Sequence, residues 1–188
     1  MVMPAPHTVW TAEMVRALPD DGQRYEVLDG ALFVSPAPSA IHQRAVFRLA
    51  SILDEYTNAH GVGETMISPA DIQLSEQRVL QPDVFVVPTN DGGLIRSWRE
   101  ITTLVLSVEV ISQATERADR VEKRIILQEE RIPEYWIVDV DQRLVERWRP
   151  DDAQPAIDRE SLLWQPRAGV PPLEIELVRY FAKVSLRP

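Results

Sequence analysis

Apolar and polar positions change period several times along the chain, and each change marks an element. A short helix is predicted after Thr11, which serves as its N-cap, ending before Pro19. The run RYEVLDGALFVS then carries Asp29-Gly30 between two strand-like halves, a strong short-range hairpin signal. From Ser39 to near Gly61, the residues Ile41, Ala45, Val46, Leu49, Ile52, Leu53 and Tyr56 recur at helical spacing and form one apolar stripe. Strand-like runs follow: GETMIS and ADIQLSE, parted by Pro69, then LQPDVFVVP. A turn-rich loop, TNDGGLIRSW, leads to TLVLSVEVIS. That last run is almost wholly apolar and β-branched, the mark of a strand buried on both faces. A charged helix is predicted from about Glu116 to Arg131, with Pro133 at its exit. EYWIVDV and RLVERWR make a second hairpin around Asp141-Gln142. The tail holds a strand near Leu162, another at LEIEL, and an apolar end around Tyr180 and Phe181. Helix, hairpin, helix, strands, helix and strands in that order predict an α/β fold with a mixed sheet and helices on at least one face.

Length sharpens this to one domain over 1–188, with 1–22 as an N-terminal helical extension. A chain of 188 residues buries enough core to fold without disulfides or structural metal. The sequence has no cysteine, which excludes zinc ribbons and thiol nucleophiles and suits a reducing cytoplasm. No run reaches the length of a membrane span, and MVMPAPHTVW does not read as a signal peptide. The net charge of −9 opposes nucleic-acid binding through a broad basic surface, while leaving room for a local basic groove or an acidic cation site.

Against this background Glu109 stands out, because its neighbours in LVLSVEVI demand burial. A bare carboxylate there costs several kcal/mol unless a cation compensates it. A buried Arg or Lys would do so, and so would a divalent metal. Asp83 follows Pro82 at the mouth of the apolar strand VFVV. If the two strands are neighbours, two hard oxygen ligands converge, which with water and phosphate is the usual way to hold Mg²⁺. The alternative for Asp83 is an ordinary strand-mouth aspartate. Lys123, on the next helix, could approach a phosphate. It could equally form a solvated i,i+4 pair with Asp119, as Glu116 could with Arg120. Glu26 could face a cleft or solvent. His42 stands at a helix start, where structural roles are commoner. The chain lacks G-x-S-x-G, G-x-x-x-x-G-K-[ST] and G-x-G-x-x-G motifs.

Four segments in order, RYEVLDGALFVSPAPSAIHQ, QPDVFVV, LVLSVEVIS with TERADRVEK, and IPEYWIVDV, resemble the Uma family of restriction-endonuclease-like proteins within the PD-(D/E)XK nuclease superfamily. The likeness runs from about Arg24 to the C-terminal apolar segment. It implies a restriction-endonuclease-like core and metal-dependent hydrolysis of DNA phosphodiesters. Pro82-Asp83 matches the PD element and Glu109 the second acid. The superfamily lysine normally follows that acid by two residues, where this chain has Ile111; the family's displaced lysine is matched by Lys123. Glu26 matches the acid of the first hairpin, and His42 the histidine of the long helix. Gln81 is a possible accessory residue. The resemblance implies Mg²⁺ or Mn²⁺ on Asp83, Glu109 and the Val110 carbonyl, with DNA backbone contacts from Arg117, Arg120 and Arg124. It also favours a homodimer, to which Tyr135, Trp136, Trp148, Trp164, Tyr180 and Phe181 could contribute if they do not instead fill the core. The rival reading is a non-catalytic module that binds nucleic acid or protein on the same fold.

Overall fold

A computed structural model of the chain describes residues 8–19, 21–89 and 94–185. The expected N-terminal extension is therefore described only from Thr8, and part of the TNDGGLIRSW loop lies outside the described residues.

Local signals act where they were expected. Helix α1 (Ala12–Arg16) is capped by the Thr11 hydroxyl, which accepts from Met14 N at 3.3 Å. Strands β1 (Arg24–Leu28) and β2 (Ala31–Ser35) pair antiparallel around Asp29 and Gly30, both at positive φ (48° and 79°). Left-handed backbone at both turn positions is the reason Asp-Gly works there. Helix α2 (Ala40–His60) is capped by Ser39 and stopped by left-handed Gly61.

The next strands are β3 (Glu64–Ile67), β4 (Ile72–Ser75), β5 (Arg78–Leu80), β6 (Val84–Val87) and β7 (Leu106–Val110). The expected single run around LQPDVFVVP is thus split between β5 and β6, because Pro82 has no N–H to give a ladder. The charged helix is also not uniform. A π-helical turn, Ala118–Lys123, runs directly into α3 (Arg124–Glu129). Strands β8 (Tyr135–Asp139), β9 (Leu144–Trp148), β10 (Ala156–Asp158), β11 (Ser161–Trp164) and β12 (Leu173–Glu176) precede α4 (Leu177–Ser185).

The central sheet has the order β10-β9-β8-β7-β6-β3, mixed because β7 and β8 are parallel. A second sheet has the order β2-β1-β5-β4, and β11 pairs with β12. Alternation along β7 decides where the chemistry sits. Leu106, Val108 and Val110 join the core shared with α2 and α4, so Ser107 and Glu109 face the other side, toward the crossover helix between β7 and β8. That side buries Phe85, Tyr135 and Ile137 with Ile126 and Leu127 of α3.

The aromatic residues weighed as an interface are spent in the core. Trp136 and Trp164 meet edge-to-face at 5.7 Å, and Tyr135, Trp148, Tyr180 and Phe181 are buried within the chain. Among the described residues no helix is long and apolar enough to cross a membrane.

Candidate functional site

Strands β6 and β7 pair antiparallel with Val84 opposite Val108, so one step further along the register sets Asp83 opposite Glu109. Residues directly opposite on such a pair share a face. Both line one cleft of about 420 Å³, together with Lys123, Asp119, Arg24 and His42.

Each acid is held by a different set of partners. Asp83 Oδ1 accepts from Arg24 Nη1 at 3.0 Å. Its Oδ2 accepts from Val110 N at 2.9 Å and lies 3.0 Å from His42 Nε2. Lys123 Nζ donates to Glu109 Oε1 at 2.9 Å and lies 3.0 Å from Glu26 Oε2 and 3.1 Å from Asp119 Oδ1. Glu26 Oε1 accepts from Gln81 N at 2.8 Å. Glu26, fully enclosed, therefore sits behind the cleft and acts on it through Lys123, rather than lining it. Gln81 meets the site through its backbone, since its side-chain amide donates to Asp71 Oδ1 at 2.7 Å.

Lys123 departs most from its surface reading. Its pairing with Asp119 exists, but only 2% of the residue is exposed, so the pair is not a solvated helix pair. The reason lies in the π-helical turn, whose Asp119 and Lys123 both pack inward on the sheet face that carries Glu109. Tyr135 Oη donates to the Asp119 carbonyl at 3.0 Å and ties this turn to β8. Such turns are rare and are found often at functional sites.

Glu109 thus has the buried-lysine partner weighed for it, and that partner is the same lysine expected at the phosphate. Four carboxylates, Glu26, Asp83, Glu109 and Asp119, surround two fixed cations, Arg24 and Lys123, with His42 beside them. The excess of negative charge shifts the protonation equilibria of the buried groups. Burial pushes the Glu109 carboxyl well above the usual range, Asp83, Asp119 and Glu26 push it further, and Lys123 opposes them. Burial pulls the Lys123 ammonium down, but Glu109, Glu26 and Asp119 outweigh this and raise it.

Asp83 moves the other way. Burial pushes it up, yet the His42 ring, Arg24 and the Val110 amide prevail and hold it at about 2, below its ordinary 3.8. A carboxyl depressed on folding stabilises the fold above its unfolded value and loses that contribution as pH falls. This contact is therefore at full strength above 3.8 and fades between 3.8 and about 2. Urea midpoints across that window should fall more steeply for the parent protein than for Asp83→Asn. Parallel curves would show that the contact adds nothing to folding.

The three arginines expected at DNA differ. Arg117 is 88% exposed at the side chain, next to the cleft wall formed by Ser112, Gln113 and Ala114. Arg120 is committed to Glu116, to Asp139 at 2.9 Å and to Glu146 at 2.8 Å. Arg124 lies 4.8 Å over the Trp148 ring and bonds the Arg120 carbonyl and Gln128. The structure also brings in Arg24, which the sequence did not single out, and Asp119, which it offered only as a surface partner of Lys123. Arg24 precedes Glu26 by two residues on a strand, which puts both on one face and could have flagged it.

Among the described residues no ready-made cage of three or more His, Asp or Glu side chains exists. A Mg²⁺ site does not need one, since one or two carboxylates with water and substrate phosphate suffice. Asp83 and Glu109 supply that pair. Two buried polar atoms without partners also lie here, Arg24 Nε and His42 Nδ1. The donor set therefore fits a divalent cation.

The model of the Uma2 family, described as "Putative restriction endonuclease", matches residues 12–178. The chain belongs to the Uma2 family. Its fold is also that of a crystal structure described as "a putative nuclease belonging to DUF820 from Anabaena variabilis", with a TM-score of 0.72 at 14% identity. The likeness covers 93% of this chain and 98% of that one. A comparison with curated proteins returned no match. Membership of this family gives the Uma2 chain a nuclease-like character.

Proposed function

We propose that this Uma2 protein is a metal-dependent endonuclease that hydrolyses phosphodiester bonds of DNA at the Asp83–Glu109 cleft. The observation that carries the reading is the placement of these two acids opposite each other at the mouth of β6 and β7, within a cluster that has too few cations for its carboxylates. Asp83, Glu109 and the Val110 carbonyl would hold Mg²⁺ or Mn²⁺. A cation bound there supplies an acidified water and neutralises charge on the phosphate. Arg24 keeps Asp83 ionised and oriented. Lys123 orients Glu109 and offers a fixed positive charge where negative charge develops on the phosphate. Glu26 braces Lys123 from behind, and His42 steadies the second Asp83 oxygen. Arg117 is the arginine placed to meet DNA backbone, whereas Arg120 and Arg124 hold the crossover helix to the sheet.

A homodimer would set two clefts against one duplex and would draw on exposed Phe47 and Val178 rather than on the core aromatics. The absence of cysteine suits work in a reducing cytoplasm.

Two observations favour a second reading, a non-catalytic binding module. Both Asp83 oxygens are already met by protein groups, and the net charge is −9. Calorimetric titration with Mn²⁺, beside nicking of supercoiled DNA in Mg²⁺ and Mn²⁺, separates the two. The nuclease reading expects one Mn²⁺ site that Asp83→Asn abolishes, with nicking lost in the same variant. A panel of single-stranded DNA, RNA and small phosphodiesters runs alongside. Hydrolysis of small diesters alone would replace the DNA assignment, and no Mn²⁺ binding with no cleavage would leave the module.

A further inference from the structure

Arg24 and Pro38 form a wall common to two cavities, the cleft just described and a neighbour of about 460 Å³. The neighbour is unlike the cleft in chemistry. Arg24 is the sole fixed cation among its lining residues, and the rest of its polar lining is three amides, Gln23, Gln43 and Gln81, with Ser68 and Asp71. It also carries an indole. Trp98 is held edge-on against Phe85 at 6.4 Å, yet stays 39% exposed.

Gln81 gives this cavity an unmet demand. The residue is 8% exposed, its Nε2 donates to Asp71 Oδ1 at 2.7 Å, and its Oε1 is buried without a partner. The Asp71 carboxylate can only accept, so it fixes which end of the amide faces it and leaves an orphan acceptor. An orphan acceptor calls for an N–H donor on a ligand. Arg24 Nε is likewise buried and unpartnered on the shared wall.

An aromatic face, amide edges and a carboxylate, with no cation beyond the shared arginine, suit a nucleobase and would repel a second phosphate. Bases stack on indole rings whatever their identity, and amide or carboxylate groups read their edges. We propose that this cavity is a nucleobase subsite, which takes a base flanking the scissile phosphate and favours bases with an exocyclic amino group over thymine. Arg24 stands between base and phosphate and contacts the nucleotide as well as Asp83. The inference rests on the nuclease reading for what occupies the cleft, while base binding itself needs no metal.

The test uses the full chain in EDTA, titrated with dAMP, dCMP, dGMP, dTMP and deoxyribose 5-phosphate. Indole and side-chain amide signals are followed by NMR, with Trp98 and Gln81 assigned by substitution. The nucleotides with amino groups should shift both signals and bind at least tenfold more tightly than dTMP and the abasic sugar phosphate. Trp98→Ala should weaken this binding about tenfold, and Trp98→Phe should restore much of it by keeping an aromatic face. Gln81→Ala should reduce the preference over dTMP. Glu109→Gln should retain base binding while losing cleavage. Equal binding of the abasic compound, or a Trp98→Ala protein that binds as the parent does, would overturn the subsite. Base binding without cleavage of any nucleic acid would instead keep the subsite and sink the nuclease reading. Cleavage without base binding would do the reverse.

Discussion

Replacing Lys123 by Met should lower stability by about 3–5 kcal/mol, enough to unfold much of the population of an ordinary domain on mild heating. The side chain is nearly as buried as any among the described residues, and three carboxylates, Glu26, Glu109 and Asp119, converge on its ammonium. Methionine fills the space but leaves those acids without their cation, and an uncompensated buried charge is far costlier than a lost surface pair. Urea unfolding in EDTA measures the effect free of any contribution from metal. A change of only a few tenths of a kcal/mol would mean that Lys123 is solvated in solution. Such instability also means that lost cleavage by a Lys123 variant does not by itself assign the lysine a part in chemistry. A double variant, Lys123→Met with Glu109→Gln, should recover part of the lost stability, because one of the stranded charges is gone.

Glu109→Gln should have opposite effects on folding and on function. On the proposed nuclease reading, cleavage should fall by roughly 10²–10³ or more, since both metal affinity and charge placement at the phosphate would then depend on this oxygen. Folding in EDTA should instead become more favourable, by an amount on the order of 1 kcal/mol at neutral pH. The sign follows from the raised carboxyl of Glu109. A carboxyl raised on folding favours the native state below its unfolded value of 4.5 and loses that advantage as pH rises. Glutamine carries no such dependence, and Lys123 keeps Glu26 and Asp119 as partners. The advantage of the variant should therefore grow as pH increases above 4.5. Melting curves at several pH values, with and without Mn²⁺, check both halves. A variant less stable than the parent in EDTA would show that Glu109 supports folding rather than opposing it, and saturable Mn²⁺ binding by the variant would remove Glu109 from the ligand set.

Much of this was legible from local chemistry. Asp29-Gly30 set the first hairpin, Ser39 and Gly61 bounded α2, and the unbroken apolar run of LVLSVEVI marked β7 as central, with Glu109 as an acid needing a partner. Each of these depends on a residue and its immediate neighbours. What could not be read depends on distant chain. Arg24 reaches Asp83 across 59 positions, and Gln81 N meets Glu26 across 55. The pairing of Asp119 with Lys123 was visible as an i,i+4 spacing, but the spacing is the same on a wet face or a dry one. Only the packing of the crossover helix on β7 and β8 decides between them. The aromatic residues were ambiguous for the same reason, since a core and an interface ask for the same side chains. Strand β10 was missed because three residues at a sheet edge carry too little pattern to register.

The π-helical turn at Ala118–Lys123 bears on how this part of the chain tolerates insertions and deletions. Successive residues of a regular α-helix are separated by about 100° around its axis. A deletion that tightened the turn to ordinary pitch would swing whatever lies on one side of it by about that angle relative to the other. Either the lysine would turn away from the acids, or the Arg124–Glu129 segment would turn its apolar side out of the core. The same geometry allows the cation to come from a different place in the chain, provided that it arrives at the same point in space. The resemblance expects a lysine two residues after Glu109, where this chain has Ile111; a relative with that lysine can hold its charge where Lys123 holds it here, and the two linear alignments then disagree by a dozen positions.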